Sequence, residues 1–466
     1  MSKKFIAVNY LIAVMALGVF FSAYVSAQNT LAPGGSDQQI AAKVEEYMTA
    51  AIRVNGFSGS VLLARNGQPI VNKGYGMANI ELGVSNTPQT VFRLGSITKQ
   101  FTGMAIAMLE ERGKLKVGDS MCKYLSDCPE AWKPVTVKNL LTHTSGIPNY
   151  TSFPDFAKTA VLPTTNAEMI GQLRDKPLEF APGEKFAYSN SGYYVLGEII
   201  ERVSGKSYAD FLRENIFNPL GMNSTGYDIS SRIIKNRAAG YARQNGEYIN
   251  ADYMDMTLPY AAGALYSTTE DLLRWDQALY SGKLVSSKTL GEIFTPFSDK
   301  IGYGYGWSIG KRFDRPVISH GGGIYGFSTQ INRFPDDRVT VIVLSNVQGA
   351  PAGKIANDLG AVYFGAEYEI PQERREIALD AKTLEKYVGQ YKIEQPSIII
   401  AVLLEDGKLL GQVAGQTKFG LLAESETNFF SKDVNATITF VTDTKGKVTG
   451  LTLNQGGSRL TAQKIK

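Results

Sequence analysis

Ser96-Ile97-Thr98-Lys99 places a hydroxyl and an amine three residues apart. A serine hydroxyl is a poor nucleophile at neutral pH and needs a base beside it. Residues three apart on a helix share a face, so both side chains can enter one pocket. By itself the tetrapeptide fits a capped surface helix with a solvated lysine better than a catalytic pair. Two distant segments shift that balance. In Tyr188-Ser189-Asn190 a phenol and an amide lie two apart in a turn and can face one cavity. The phenol can pass a proton, and the amide can hold a substrate carbonyl or a lysine. His320-Gly321-Gly322-Gly323 follows Arg315–Ser319 and reads as a strand running into a glycine-rich segment. Glycines let a substrate lie against the backbone and bind as an added strand. Each segment alone also has an ordinary explanation, an aromatic loop with a turn asparagine and a glycine-rich hairpin.

The elements that must hold these groups are legible as patterns. Arg93-Leu94-Gly95 breaks a strand-like run, and Gln100–Glu111 continues as an apolar helix, so Ser96 stands at a helix start. The free N–H groups there would stabilise an oxyanion on a group attacked by Ser96. A helix is expected over Ile40–Ile52. Phe57–Val71 alternates around the hairpin signal Asn66-Gly67, and Met77–Val84 and Val91–Leu94 read as strands. From Ser96 to about Leu290 the pattern is mainly helical, as at Val137–His143, Tyr193–Val203, Tyr208–Ile216 and Thr268–Tyr280. Strands return at Tyr303–Ile309, Pro316–His320, Phe327–Phe334 and Val339–Asn346, and Ile355–Phe364 is helical. An α/β sheet domain split by a helical insertion accounts for this order, with the cleft between the two parts.

Taken together and in this order, the three segments resemble the serine β-lactamase and penicillin-binding-protein superfamily. The similarity is greatest to the branch of class C β-lactamases, D-alanyl-D-alanine carboxypeptidases, D-aminopeptidases and esterases. Leu140–Ile147, Pro182–Gly205, Pro219–Met222 and Gly302–Trp307 carry the resemblance too, which spans Gln38 to Phe364. It implies an antiparallel sheet flanked by helices, with an all-helical lobe. It implies Ser96 as the acylated nucleophile, with Lys99 and Tyr188 as proton-handling partners, either being the base. It implies Asn190 as orienting Lys99 and the substrate carbonyl, and His320, Gly322 and Gly323 as the substrate-binding strand. The N–H groups of Ser96 and near Gly323 would form the oxyanion hole. His320 departs from the Lys-Thr-Gly of class C β-lactamases. An unperturbed histidine is mostly neutral at pH 7, so carboxylate capture should be weak and pH-dependent. Histidine there points toward a D-amino-acid peptidase or esterase. The alternatives are a β-lactamase and a catalytically weak sensor or scaffold. His143, also in these phrases, is expected to serve packing. Substrate walls are expected from loops around Tyr150, Tyr260 and Tyr325.

The chain has 466 residues, 44% hydrophobic and 20% charged, with a formal net charge of +4. Residues 1–27 read as a signal peptide, with Lys3 and Lys4 before an apolar run and Val25-Ser26-Ala27 as cleavage site. Cleavage predicts a secreted or periplasmic protein without a stable membrane span; an uncleaved leader would be an N-terminal anchor. No basic tract is present, which argues against nucleic acid and leaves a small-molecule or peptide substrate, peptidoglycan-derived or β-lactam among the options. No cofactor is implied. With two histidines and two cysteines in all, a zinc site is not expected. Cys122 and Cys128 are either a short-loop disulfide or two thiols. The expected organisation is a hydrolase domain over 38–365, a polar linker over 366–380 and a small all-β domain over 381–466, barrel-like or sandwich-like.

Overall fold

The computed structural model describes residues 34–244, 246–298, 300–394, 398–413, 418–432, 434, 436–455 and 458–465. The expected leader over residues 1–27 lies outside them. Six antiparallel strands form the central sheet: β1 Gly59–Arg65, β2 Gln68–Tyr75, β3 Ser308–Arg312, β4 Arg315–Ile324, β5 Phe327–Phe334 and β6 Val339–Ser345. Their spatial order is β3-β4-β5-β6-β1-β2. Residues of β1 and β6 are buried throughout except at Arg65, as befits strands covered on both faces. Because side chains alternate across a strand, Val61 and Leu63 meet Val341, Val343, Ile355 and Leu359 on one face. That face is closed by the helices Asp37–Asn55 and Ala352–Phe364. Leu62, Ile342 and Leu344 point the other way, into the helical lobe.

The helix Thr98–Glu111 is the pillar of that lobe. Thr98 to Leu109 are all buried, so it is enclosed on every side. Phe101 packs on Trp275 with ring centroids 4.4 Å apart. The Thr102 hydroxyl donates to the Ala261 carbonyl at 2.7 Å, tying the helix to the short helix Tyr260–Gly263. The segment Tyr303–Trp307 crosses the pillar at backbone contact. A Cβ on Gly103 would lie 2.5 Å from the Tyr305 carbonyl oxygen, and one on Gly306 would lie 2.4 Å from that of Lys99. This crossing explains why the strand expected over Tyr303–Ile309 is regular only from Ser308. Conversely, β4 runs four residues past His320, because its pairing with β5 continues to Ile324↔Phe327. The helix expected over Tyr208–Ile216 changes to a π turn at Arg213–Phe217.

Beyond the connector, eight strands from Gly389 to Lys464 close into an antiparallel barrel in which sequence neighbours pair. Closure removes the unpaired edges an open sheet would carry. The interior is filled, with Tyr387 stacked on Phe440 at 4.4 Å and Phe429 and Tyr391 beside them. Cys122 and Cys128 form a disulfide. Among the described residues no helix is long and apolar enough to cross a membrane.

One glycine of β4 is fixed by packing. A Cβ on Gly322 would sit 1.9 Å from the Leu94 carbonyl oxygen and 2.3 Å from Thr329 Oγ1, two atoms already hydrogen-bonded at 2.7 Å. Gly322→Ala is expected to destabilise the fold by about 1–3 kcal/mol, the usual cost of overpacking. Gly310→Ala on β3, where a Cβ meets nothing within 4 Å, should leave Tm near that of the parent. Thermal unfolding of the two variants checks both.

Candidate active site

Ser96 lies in a single 3-10 turn, Gly95–Ile97, that feeds directly into the pillar helix. Lys99, one helical turn further, has no exposed surface. Its Nζ lies 3.1 Å from Ser96 Oγ, 2.8 Å from Asn190 Oδ1 and 2.8 Å from the Ala262 carbonyl oxygen. Burial drives its proton affinity well below that of an ordinary lysine. A carbonyl and an amide oxygen can only accept, so each takes an N–H from Nζ. Ser96 Oγ stands at the third position around Nζ, where it accepts an N–H from the ammonium or, once the amine has lost its proton, can give up its own.

Asn190 opens the helix Asn190–Ser204 and is held by that helix start. Its N–H donates to Asn149 Oδ1 at 3.1 Å, and Ser191 Oγ donates to the Pro148 carbonyl at 2.6 Å. Tyr188, just before this helix, faces the Ser96 hydroxyl, and Lys99 Nζ lies 5.0 Å from its ring centroid. Desolvation raises the Tyr188 pKa; the hydrogen bond with Ser96 offsets only part of that. The phenol therefore keeps its proton at neutral pH, and of the two groups Lys99 is the one whose hold on a proton burial weakens.

Gly323 borders the Ser96 turn. A Cβ on Gly95 would lie 2.9 Å from the Gly323 nitrogen. β3 pairs with β4 only as far as Ser308↔Ser319, leaving one edge of residues 320–324 open for an added strand. Both Gly323 and Ser96 line a cleft of about 480 Å³ with Asn190, Tyr150 and Tyr325. The loop around Tyr260 lines it too, through Leu258, Pro259, Ala262 and Gly263, while the Tyr260 ring itself lies behind that wall with its hydroxyl near Asn166.

His320 and Gly322 do not line this cleft. The pairing His320↔Ile331 turns the imidazole toward the same buried face as Ile331. Its Nδ1 donates to the Gly321 carbonyl at 2.6 Å, and its Nε2 accepts from the Tyr303 hydroxyl at 2.8 Å. Desolvation first, and nearby Lys99 second, lower its pKa to about 4. His320 is thus a neutral, internally satisfied group rather than an open anion ligand. His143 is its counterpart behind Tyr188. It sits at φ 57° with its ring 4.2 Å from that of Tyr188, and its Nδ1 accepts the Ser189 N–H at 3.1 Å. Two contributors carried no sequence signal of their own. Ala262 acts through its carbonyl alone, and Tyr303 stood out only within a glycine-aromatic phrase.

The family model for Beta-lactamase matches residues 40–363. The chain belongs to this family, within the serine β-lactamase and penicillin-binding-protein superfamily. A second model, Domain of unknown function (DUF3471), matches residues 373–464. Penicillin-binding protein 4* of Bacillus subtilis (strain 168) is 33% identical over 412 residues, covering 82% of this chain and 90% of that protein. Teichoic acid D-alanine hydrolase of Staphylococcus aureus is 29% identical, covering 66% of this chain and 74% of the relative. Among solved structures, the octameric penicillin-binding protein homologue from Pyrococcus abyssi superposes with a TM-score of 0.64 at 27% identity. It covers 90% of this chain and 99% of its own.

The depressed imidazole predicts acid sensitivity. Unfolded, His320 binds a proton near pH 6.5; folded, it resists to about pH 4. The unfolded state therefore holds more protons in between, and stability falls as pH drops through that window. Its contribution to the loss approaches about 3 kcal/mol at the acid end. Thermal unfolding from pH 7 to 4.5 should show a smaller decline for His320→Gln than for the parent chain.

Proposed function

We propose that the chain is an exported serine hydrolase that acylates Ser96 from amide or ester bonds of D-configured residues or small esters. The observation that carries this reading is the buried Lys99 amine within hydrogen-bond reach of Ser96 Oγ and held by Asn190 and Ala262, with no counter-ion among its partners. Ser96 Oγ attacks the carbonyl carbon while its proton moves to Lys99 Nζ. The oxyanion is met by the N–H groups of Ser96 and Gly323. As the tetrahedral intermediate collapses, the bond to the leaving nitrogen or oxygen breaks. Tyr188, already protonated, delivers a proton to the leaving group and is replenished from the Lys99 ammonium. Water then repeats the sequence on the ester, releasing the acid and restoring Ser96.

The relative named for teichoic acid D-alanine supports a D-configured substrate. The inward-facing His320 favours a peptidase or esterase over a β-lactamase, since it offers no cation for a β-lactam carboxylate. The Cys122–Cys128 disulfide suits an oxidising compartment and so supports export. We assign the barrel a structural role, its interior being occupied by its own side chains.

A fluorophosphonate probe should add one mass label to the parent chain, on Ser96, and none to Ser96→Ala. An unlabelled parent would refute the assignment. For Lys99 the sign follows from its depressed pKa. The acylation rate should be lost as pH falls through an inflection well below 10.5, and should hold on the alkaline side. Lys99→Arg, permanently charged, is expected to lose at least about 100-fold in kcat/KM, the lower range for a removed general base. The pH–rate profile of the parent and a single-pH assay of the variant are the measurements.

A further inference from the structure

Substrates of acyl-transfer sites often carry a charge beside the scissile bond, a free carboxylate on one side or a free α-ammonium on the other. Binding such a charge in a closed cleft strips its water, and only an opposite charge or several aimed dipoles repay that cost. The cleft here offers no opposite charge, and its aimed dipoles are the N–H groups beside Ser96 that face the scissile carbonyl. Among the described residues that line it, none is Asp, Glu, Lys, Arg or His. Its broad walls are Tyr150, Phe156, Met254, Leu258, Tyr325 and Phe327.

The polar side chains on the lining are mostly committed. Asn190 Oδ1 holds Lys99. Gln348 Oε1 accepts the Gly326 N–H at 3.2 Å, and Ser328 Oγ accepts the Gly349 N–H at 3.0 Å. The cations that could approach are withdrawn. Lys99 is sealed behind Ser96 with three partners, and His320 is turned inward onto Tyr303. Of the nearby carboxylates, Asp252 is solvent-exposed and off the lining. Asp155 is exposed too and borders a separate cavity of about 190 Å³, on whose wall Tyr150, Phe156 and Leu258 also lie.

We propose that this cleft selects acyl donors bearing no formal charge next to the scissile bond: residues whose α-nitrogen is acylated and whose carboxyl is esterified or amidated, with an apolar side chain against the aromatic wall. The inference rests on the acyl-transfer reading of Ser96. It places the cut inside a capped or internal segment rather than at a free end of a peptide.

The test uses three p-nitroanilides of D-phenylalanine that differ only at the α-nitrogen: N-acetyl (neutral), free amine (cationic at pH 7) and N-succinyl (anionic). Each is measured by turnover, and by its ability to slow fluorophosphonate labelling of Ser96, which reads acylation and binding even when turnover is slow. The neutral compound should exceed both charged ones by at least about tenfold, the discrimination that a small loss of binding free energy produces. Equal or better use of either charged compound overturns the proposal, as does failure of all three to engage a Ser96 that still takes the fluorophosphonate. Absence of fluorophosphonate labelling instead refutes the serine-hydrolase reading itself. A second variant probes the same wall. Gln348→Glu keeps the acceptor for the Gly326 N–H and adds a carboxylate at the cleft. It should raise the relative use of the free amine several-fold, and an unchanged preference counts against the proposal.

Discussion

The candidate active site depends on one burial: a lysine amine enclosed without a counter-ion among its hydrogen-bond partners. A charged ammonium in that position would lack the solvation it has in water, and no carboxylate lies among its hydrogen-bond partners to compensate. Ionisation is therefore what the fold disfavours, and an amine more readily unprotonated, and so free to accept a proton near neutral pH, is the result. The arrangement of Asn190 and Ala262 matters because both are acceptors. Both take N–H bonds from Nζ and so hold the amine beside Ser96.

The rest of the lobe can be understood as what keeps that amine dry and aimed. The helix carrying it is buried around its full circumference. The Gly103 and Gly306 crossing lets the Tyr303 segment lie flush on its backbone. Thr102 and Lys99, on successive turns, grip the adjacent carbonyls of Ala261 and Ala262, so the same short helix that supplies an acceptor is itself fixed by the pillar. Tyr188 and Tyr193 add rings 5.0 and 5.5 Å from Nζ. Such faces would favour a cation only modestly, and burial outweighs them.

Much of the site was legible because it is written in side chains with local spacing. Ser96 and Lys99 follow helical periodicity, and Tyr188 and Asn190 sit at the mouth of a helix whose start is fixed by hydroxyl and amide contacts to residues 148–149. The sheet was legible from alternation, with Val61 and Leu63 facing one way and Leu62 the other. What escaped was information carried by backbone or by register. Ala262 has no side-chain signature. The length of β4 depends on pairing with β5, and the crossing at Gly306 depends on a distant helix. His320 was partly readable: it shares strand parity with Ile318, which is buried against the lobe, and that parity already turns it inward. The glycines beside it drew attention to the open edge instead.

The inward histidine and the buried lysine are linked by more than proximity. Lys99 contributes to lowering the proton affinity of both His320 and His143, so a proton gained by any of the three would repel the others. All three are disfavoured as cations chiefly by the same desolvation. A lysine in place of His320 would not simply restore a carboxylate grip. It would stand beside Tyr303 on the buried face of β4, facing a second amine across a dry interior, and one of the two would have to shed its proton or swing outward. Because Lys99 is held by three hydrogen bonds and a rigid helix, the newcomer would yield first. On the cleft side of β4 this chain presents a strand edge and apolar walls, with no cation among the lining residues.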